Sequence, residues 1–156
     1  MMEAFLRTDM RLHFEKTAQG AEREMARRLR STAAARMFGF RLEAAEAGRA
    51  VLKMQVRRGH LQVHGVVHGG VLAALADTAG ALGIYLMVPR GTRLATIEMK
   101  INYLEPVEKG TLVAEGRVLR KGRNFAVSEV DVHNEERHLV AKALITYSIG
   151  AAEPAK

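Results

Sequence analysis

Asp77 is the only charged side chain between Gly69 and Pro89, in a run made mostly of Gly, Ala, Leu and Val. A carboxylate in the middle of an apolar helix costs free energy unless it is paired, hydrogen-bonded or used in chemistry. Gly69 and Gly70 stand just ahead of it, where the helix should begin, and a helix start offers unpaired backbone N–H donors. A donor-lined helix end and a solitary acid are two of the parts that hydrolysis of an acyl ester requires. On a helix, Asp77 shares a face with Gly70, Ala73, Ala74, Gly80, Ala81 and Ile84. That face is nearly all small, so another backbone or a narrow ligand channel can come close. The competing reading is a structural acid, bonded to nearby backbone or to a partner helix.

Two further clusters could do chemistry. His60, His64 and His68 recur every four residues, the spacing of metal ligands on a helix. Gly65, Gly69 and the β-branched Val63, Val66 and Val67 oppose a helix there, and no Cys or carboxylate completes a ligand set, so no metal site is expected. Asp131 and His133 fall on one face of a strand, but Glu129 shares that face, which reads as a solvated surface rather than a catalytic dyad.

The elements that must position these residues follow from periodicity. Residues 10–36 have helical composition. Two strands, 40–46 and 50–56, flank a turn at Ala47-Gly48, with Val51, Lys53 and Gln55 alternating with Leu52, Met54 and Val56. A helix over 69–87 ends before the Pro89-Arg90-Gly91 break. Four strands follow, over 93–104, 110–121, 124–133 and 138–149, separated by polar and glycine-bearing turns. One helix followed by consecutive antiparallel strands predicts an α+β architecture with the helix on one face of the sheet. The far face then needs a cover, and a second copy is the simplest.

Composition narrows the function. At 156 residues the chain is long enough for one domain with a substantial core. The absence of cysteine excludes a disulfide framework and a thiol nucleophile, and fits a reducing compartment such as the cytoplasm. Met1 to Lys16 mixes acids and bases with no apolar run of signal-peptide length. The stretch 69–89 has membrane length, but its Gly and Ala content and Asp77 favour a buried helix. The formal charge of +7 is spread out: nine Lys and Arg face five Asp and Glu over 1–41, and fifteen face twelve beyond. With few aromatic side chains and no nucleic-acid motif, that distribution argues against a nucleic-acid partner. It suits a polyphosphorylated small molecule at least as well.

Gln62-x-x-Gly65-x-x-His68-Gly69-Gly70 followed by Leu75-Ala76-Asp77-Thr78-Ala79 resembles the signature of hotdog-fold acyl-CoA thioesterases, in particular the phenylacetic-acid-degradation (PaaI-like) type. Thr96-Ile97-Glu98-Met99-Lys100-Ile101-Asn102-Tyr103-Leu104-Glu105-Pro106 is similar to that family's third strand, and Gly122-Arg123 to its turn between the fourth and fifth. The likeness spans about residues 35–150. It implies a hotdog fold: one long central helix wrapped by a six-stranded antiparallel sheet, here with an extra N-terminal helix. Residues 1–36 would be a helical extension, 37–150 the hotdog domain and 151–156 a flexible tail.

The resemblance also implies roles. Asp77 would be the general base or nucleophile, the Gly69 N–H the oxyanion donor, and Gln62 and Thr96 would place the thioester and the water. His68, Gly70 and Arg123 would touch substrate, Arg123 through a CoA phosphate. The bland readings are a loop-fixing role for His68, a tight turn at Gly69-Gly70, and ordinary strand and turn positions for Thr96 and Arg123. No metal or redox cofactor is implied, coenzyme A being part of the substrate. The resemblance implies that the helix acid and the oxyanion donor come from opposite subunits, so a homodimer, and beyond it a dimer of dimers, is expected. A non-catalytic acyl-CoA-binding regulator and a hotdog dehydratase or hydratase are the alternatives on the same fold.

Overall fold

The computed structural model describes residues 20–152. The expected extension before residue 20 and the expected tail over 153–156 lie outside the described residues. Six strands form one antiparallel sheet: β1 (Phe40–Glu46), β2 (Arg49–Gln55), β3 (Thr92–Tyr103), β4 (Thr111–Lys121), β5 (Phe125–His133) and β6 (Leu139–Ala152). Their spatial order is β1-β2-β4-β5-β6-β3, which leaves β3 at one edge although it precedes three of its sheet-mates in the chain. Helix α1 covers residues 20–31, α2 is Ala33–Phe38, and α3 is Gly69–Tyr85.

α3 lies across β4, β2 and β5 on one face of the sheet. Period-two alternation aims Leu112 and Ala114 of β4, Val130 and Val132 of β5, and Ile145 and Tyr147 of β6 at it. Leu75, Ala76 and Ala79 meet them and are fully buried. Truncating a wholly buried leucine such as Leu75 to alanine costs about 2–5 kcal/mol. At the closest approach the helix rests on bare backbone: a Cβ on Gly116 would lie 2.6 Å from the Ala79 carbonyl. α1 joins the same core through Met25 and Leu29.

The architecture is the α+β hotdog arrangement that the resemblance implies, with three local differences. The N-terminal helix is broken at Thr32, whose backbone is extended (φ −80°, ψ 119°). Ser31 and Thr32 both donate their hydroxyls to the Arg28 carbonyl, a local bond that competes with helix continuation. α3 stops at Tyr85, two residues short of the expected end, as the Met87 N–H turns back to the Ile84 carbonyl ahead of Pro89. β6 runs three residues further than expected, to Ala152, because its end pairs with Thr92 at the start of β3.

The outer face of the sheet differs from expectation in chemistry. A covering copy is the expectation for this face, yet it carries ion pairs: Arg49–Glu115 at 2.5 Å, Arg117–Glu115 at 2.9 Å, and Lys142 with both Asp131 (2.6 Å) and Glu129 (3.3 Å). These charges keep the face compatible with water without a cover. Of the two edges of the sheet, β1 and β3, the β3 edge has Ile97 (53% exposed) and Tyr103 (51%) beside unpaired strand backbone.

Candidate active site

The middle of α3 presents Asp77, half-buried on the flank of the helix beside β3. Thr96 of β3 donates its hydroxyl to Asp77 Oδ1 at 2.7 Å. A register shift between Thr96 and Glu98 leaves Ile97 as the extra residue in β3. That bulge sends Thr96 toward the helix, opposite the buried Tyr147, while Glu98 pairs with Thr146 on the outer face. Tyr147 donates its hydroxyl to the Asp77 carbonyl at 2.8 Å. Burial, and after it the Asp77 carboxylate nearby, push the Tyr147 phenol far above its ordinary range, so it remains a neutral donor. Gly80 makes room for it, since a Cβ there would sit on the phenol oxygen. Asp77, Thr96 and Tyr147 open into a cavity of about 270 Å³, whose outer wall is Arg28, Leu29 and Thr32 of the N-terminal segment.

The start of α3 is organised differently. His68 is its N-cap, and the His68 Nδ1 accepts from the Gly70 N–H at 2.9 Å. The His68 carbonyl accepts from the Val71 N–H, and at 3.4 Å from that of Leu72. Of these first amides only the Gly69 N–H has no acceptor among the described residues. Tyr103 of β3 donates its hydroxyl to the Gly69 carbonyl at 3.0 Å, and a Cβ on Gly69 would lie 3.0 Å from its ring. Gln62 sits in the preceding turn, where its Oε1 accepts from the His64 N–H and Gly65 adopts φ +80°. A cavity of about 320 Å³ lies beside Gly69 and Tyr103. His60 anchors this turn from beneath: its carbonyl accepts from the His68 N–H, and its Nδ1 from the Arg57 N–H. Burial, with the Arg57 charge adding to it, lowers the His60 pKa.

One chain therefore brings Asp77 and Thr96 together, and separately Gly69, His68, Gly70 and Gln62. The two groups are eight helical residues apart, roughly 12 Å along the axis. His68 Nδ1 is spent on the Gly70 N–H, which favours the loop-fixing role for His68. Arg123 is exposed in the β4–β5 turn and borders neither cavity. Asp131 is bound to Lys142 on the outer face, away from α3, which removes it from any acid–histidine pair with His133. Residues 61–68 are not helical, so the His60, His64 and His68 spacing does not form a ligand row. Tyr147, Tyr103 and Arg28 were not singled out from sequence. Tyr147 lies on the inward alternation of β6, but only the sheet order sets that strand beside the middle of α3.

A family model described as the thioesterase superfamily matches residues 64–141. A candidate esterase of Saccharolobus solfataricus is 38% identical over 104 residues, covering 67% of this chain and 74% of that protein. The medium/long-chain acyl-CoA thioesterase YigI of Escherichia coli is 34% identical over 98 residues, 54% of this chain and 63% of that protein. Among solved structures, the Escherichia coli PaaI protein from the phenylacetic acid degradation operon superposes with a TM-score of 0.79 at 25% identity. That likeness covers 86% of this chain and 96% of PaaI.

Proposed function

The chain belongs to the thioesterase superfamily, with the PaaI-like hotdog fold, and from that premise we propose that it hydrolyses acyl-CoA thioesters to the free acid and CoA. The observation that carries the reading is the Asp77 carboxylate, oriented by Thr96 at 2.7 Å and opening into a cavity beside an apolar helix. In the reaction Asp77 takes a proton from water, whose oxygen bonds to the thioester carbon, or attacks that carbon itself to give an anhydride that water then opens. The carbonyl oxygen, negative in the tetrahedral intermediate, accepts from the Gly69 N–H. The C–S bond breaks, and the thiolate takes up a proton to leave as CoA-SH. Thr96 and Gln62 set the geometry, and the polar side chains around the cavity assist binding. Acyl transfer to water needs no redox change and no Lewis acid beyond these donors.

Asp77 and Gly69 belong to one site only if a second copy supplies the other half. The open β3 edge, with Ile97 and Tyr103 exposed on it, supports a homodimer in which Asp77 faces the partner's Gly69, and dimers then associate in pairs. Among the described residues no helix is long and apolar enough to cross a membrane. The cysteine-free composition supports a cytoplasmic setting. A thiol-release assay with short, medium, long and aryl acyl-CoAs tests the proposal. Turnover of at least one class supports it; acyl-CoA binding without any turnover would instead favour the regulator.

A further inference from the structure

Among the described residues, Arg28 is the one arginine in the lining of the Asp77 cavity. Arg27, Arg49, Arg90 and Arg117 each have a carboxylate oxygen within 3.3 Å. Arg28 is half-buried in the wall of the Asp77 cavity, and no carboxylate of the described residues pairs with it. Its guanidinium stacks on the Tyr85 ring, 3.4 Å from the centroid, which orients the plane and leaves its N–H edge available. α1 is fixed in place by Met25 and Leu29 in the core and by Glu24, which binds Arg90 at 2.6 Å.

An alkyl chain filling this cavity would strip water from the guanidinium and offer nothing in return. A carboxylate at the end of the chain would meet the fork with two charge-assisted hydrogen bonds. The Asp77 carboxylate at the other end of the cavity repels the same group, which sets the direction in which it enters. Length follows from the helix. Asp77 and Tyr85 are eight residues apart, roughly 12 Å along the axis. About 3 Å at each end goes to the contacts with Asp77 and with Arg28. The remaining span is that of a chain of about six carbons, whose C–C bonds of about 1.5 Å advance somewhat less than that in a zigzag. The cavity volume, about 270 Å³, lies just below the roughly 300–1,000 Å³ usual for small-molecule sites, which also suits a short acyl group.

We propose that Arg28 is a specificity-determining residue, selecting acyl-CoAs whose acyl group is a short dicarboxylic acid held by its free carboxylate. The inference rests on the thioesterase reading of the Asp77 site. It is tested with adipyl-CoA and hexanoyl-CoA, which match in carbon count and differ in the terminal carboxylate, on the full chain and its Arg28→Met and Arg28→Lys variants. The expected result is a wild-type kcat/KM ratio favouring adipyl-CoA, and a fall in that ratio of roughly ten- to hundred-fold in Arg28→Met. Arg28→Lys, which keeps the charge but loses the fork and the stacking, falls between the two. An unchanged ratio overturns the proposal. So does an equal loss on both substrates, which would move Arg28 to the CoA moiety. Should neither thioester be turned over while another acyl-CoA of the panel is, the proposal is overturned; should no acyl-CoA be turned over, the thioesterase reading is what fails. Calorimetry with the non-hydrolysable adipyl-CoA thioether then reads the Arg28 contact alone: weaker binding in Arg28→Met sustains it, and equal binding overturns it.

Discussion

The two ends of the chemistry on α3 are built from opposite materials. At the helix start the proposed reactive group is backbone, the Gly69 N–H, and the side chains around it, His68, Gln62 and Tyr103, hold a turn in which this donor stays unspent. At mid-helix the proposed reactive group is a side chain, Asp77, and the fold supplies small neighbours, the Thr96 hydroxyl on its carboxylate and the Tyr147 hydroxyl on its backbone carbonyl. The first end tolerates changes of side chain better than changes of backbone, and the second the reverse. Substitutions can therefore be chosen that damage one end and spare the other.

The largest effect is expected from Asp77→Asn, which is nearly isosteric and keeps an acceptor for Thr96. It should lower kcat by about 10²–10⁴-fold, the usual loss on removing a general base, with an unchanged circular-dichroism spectrum. Near wild-type turnover would remove Asp77 from the mechanism. Next comes Gly69→Pro, expected to cost about 10²–10³-fold, as for loss of one oxyanion donor. The helix start should accept it, because proline suits the first helical position and His68 already has the extended conformation that must precede one (φ −63°, ψ 134°). The ring of the exposed Tyr103 has to yield to the new side chain. Mixed and refolded together, these two variants should recover up to about half the wild-type rate per hybrid dimer, since one of its two sites then carries both lesions and the other neither. No recovery in a mixture shown to form hybrids would put both halves of the site in one chain.

A smaller loss follows from Thr96→Val, which deletes the bond to Asp77 Oδ1 and keeps the strand shape. A fall in kcat of about tenfold is expected for one hydrogen bond to a charged group, and it should not add to the Asp77→Asn defect. Additive losses would assign Thr96 a separate role. The smallest effect is pH-dependent and confined to the helix start. The His60 pKa is lowered in the folded state, so the unfolded state binds the extra proton first as pH falls. The contribution of His60 is therefore complete above its unfolded pKa near 6.5 and is lost as pH drops through the folded value. Protonation of Nδ1 also ends its bond from the Arg57 N–H. Amide exchange over 57–68 should rise between pH 7.5 and 5 more than over 73–84. Equal changes in both segments would refute a local effect.

What was legible in the sequence follows the same division. Gly69, Gly70 and Asp77 stand out because glycine pairs and a lone acid in an apolar helix are anomalies against a local background, and local anomalies need no tertiary knowledge. The strands were readable for the same reason, as period-two alternation is a property of neighbours. Tyr147 and Arg28 were not readable. Each looks ordinary in its own segment and acquires its place only when β6 and α1 are set beside α3. That Glu129 and Asp131 share a solvated side is legible from alternation, while the cross-strand ion pairs of Glu115, Asp131 and Lys142 depend on register and are not.

The strand order has a consequence for a chain as it is being made. β3 carries Thr96 but pairs only with β6, which is synthesised after β4 and β5. While a nascent chain grows from its N-terminus, α3 can meet β2 and then β4, yet β3 has no strand to lie against until β6 emerges. Asp77 is thus made early and receives its hydroxyl partners last, Thr96 by way of β6 and Tyr147 on β6 itself. A chain arrested before residue 139 would hold Gln62, His68, Gly69, Asp77 and Thr96 and still lack the strand that brings Thr96 to Asp77.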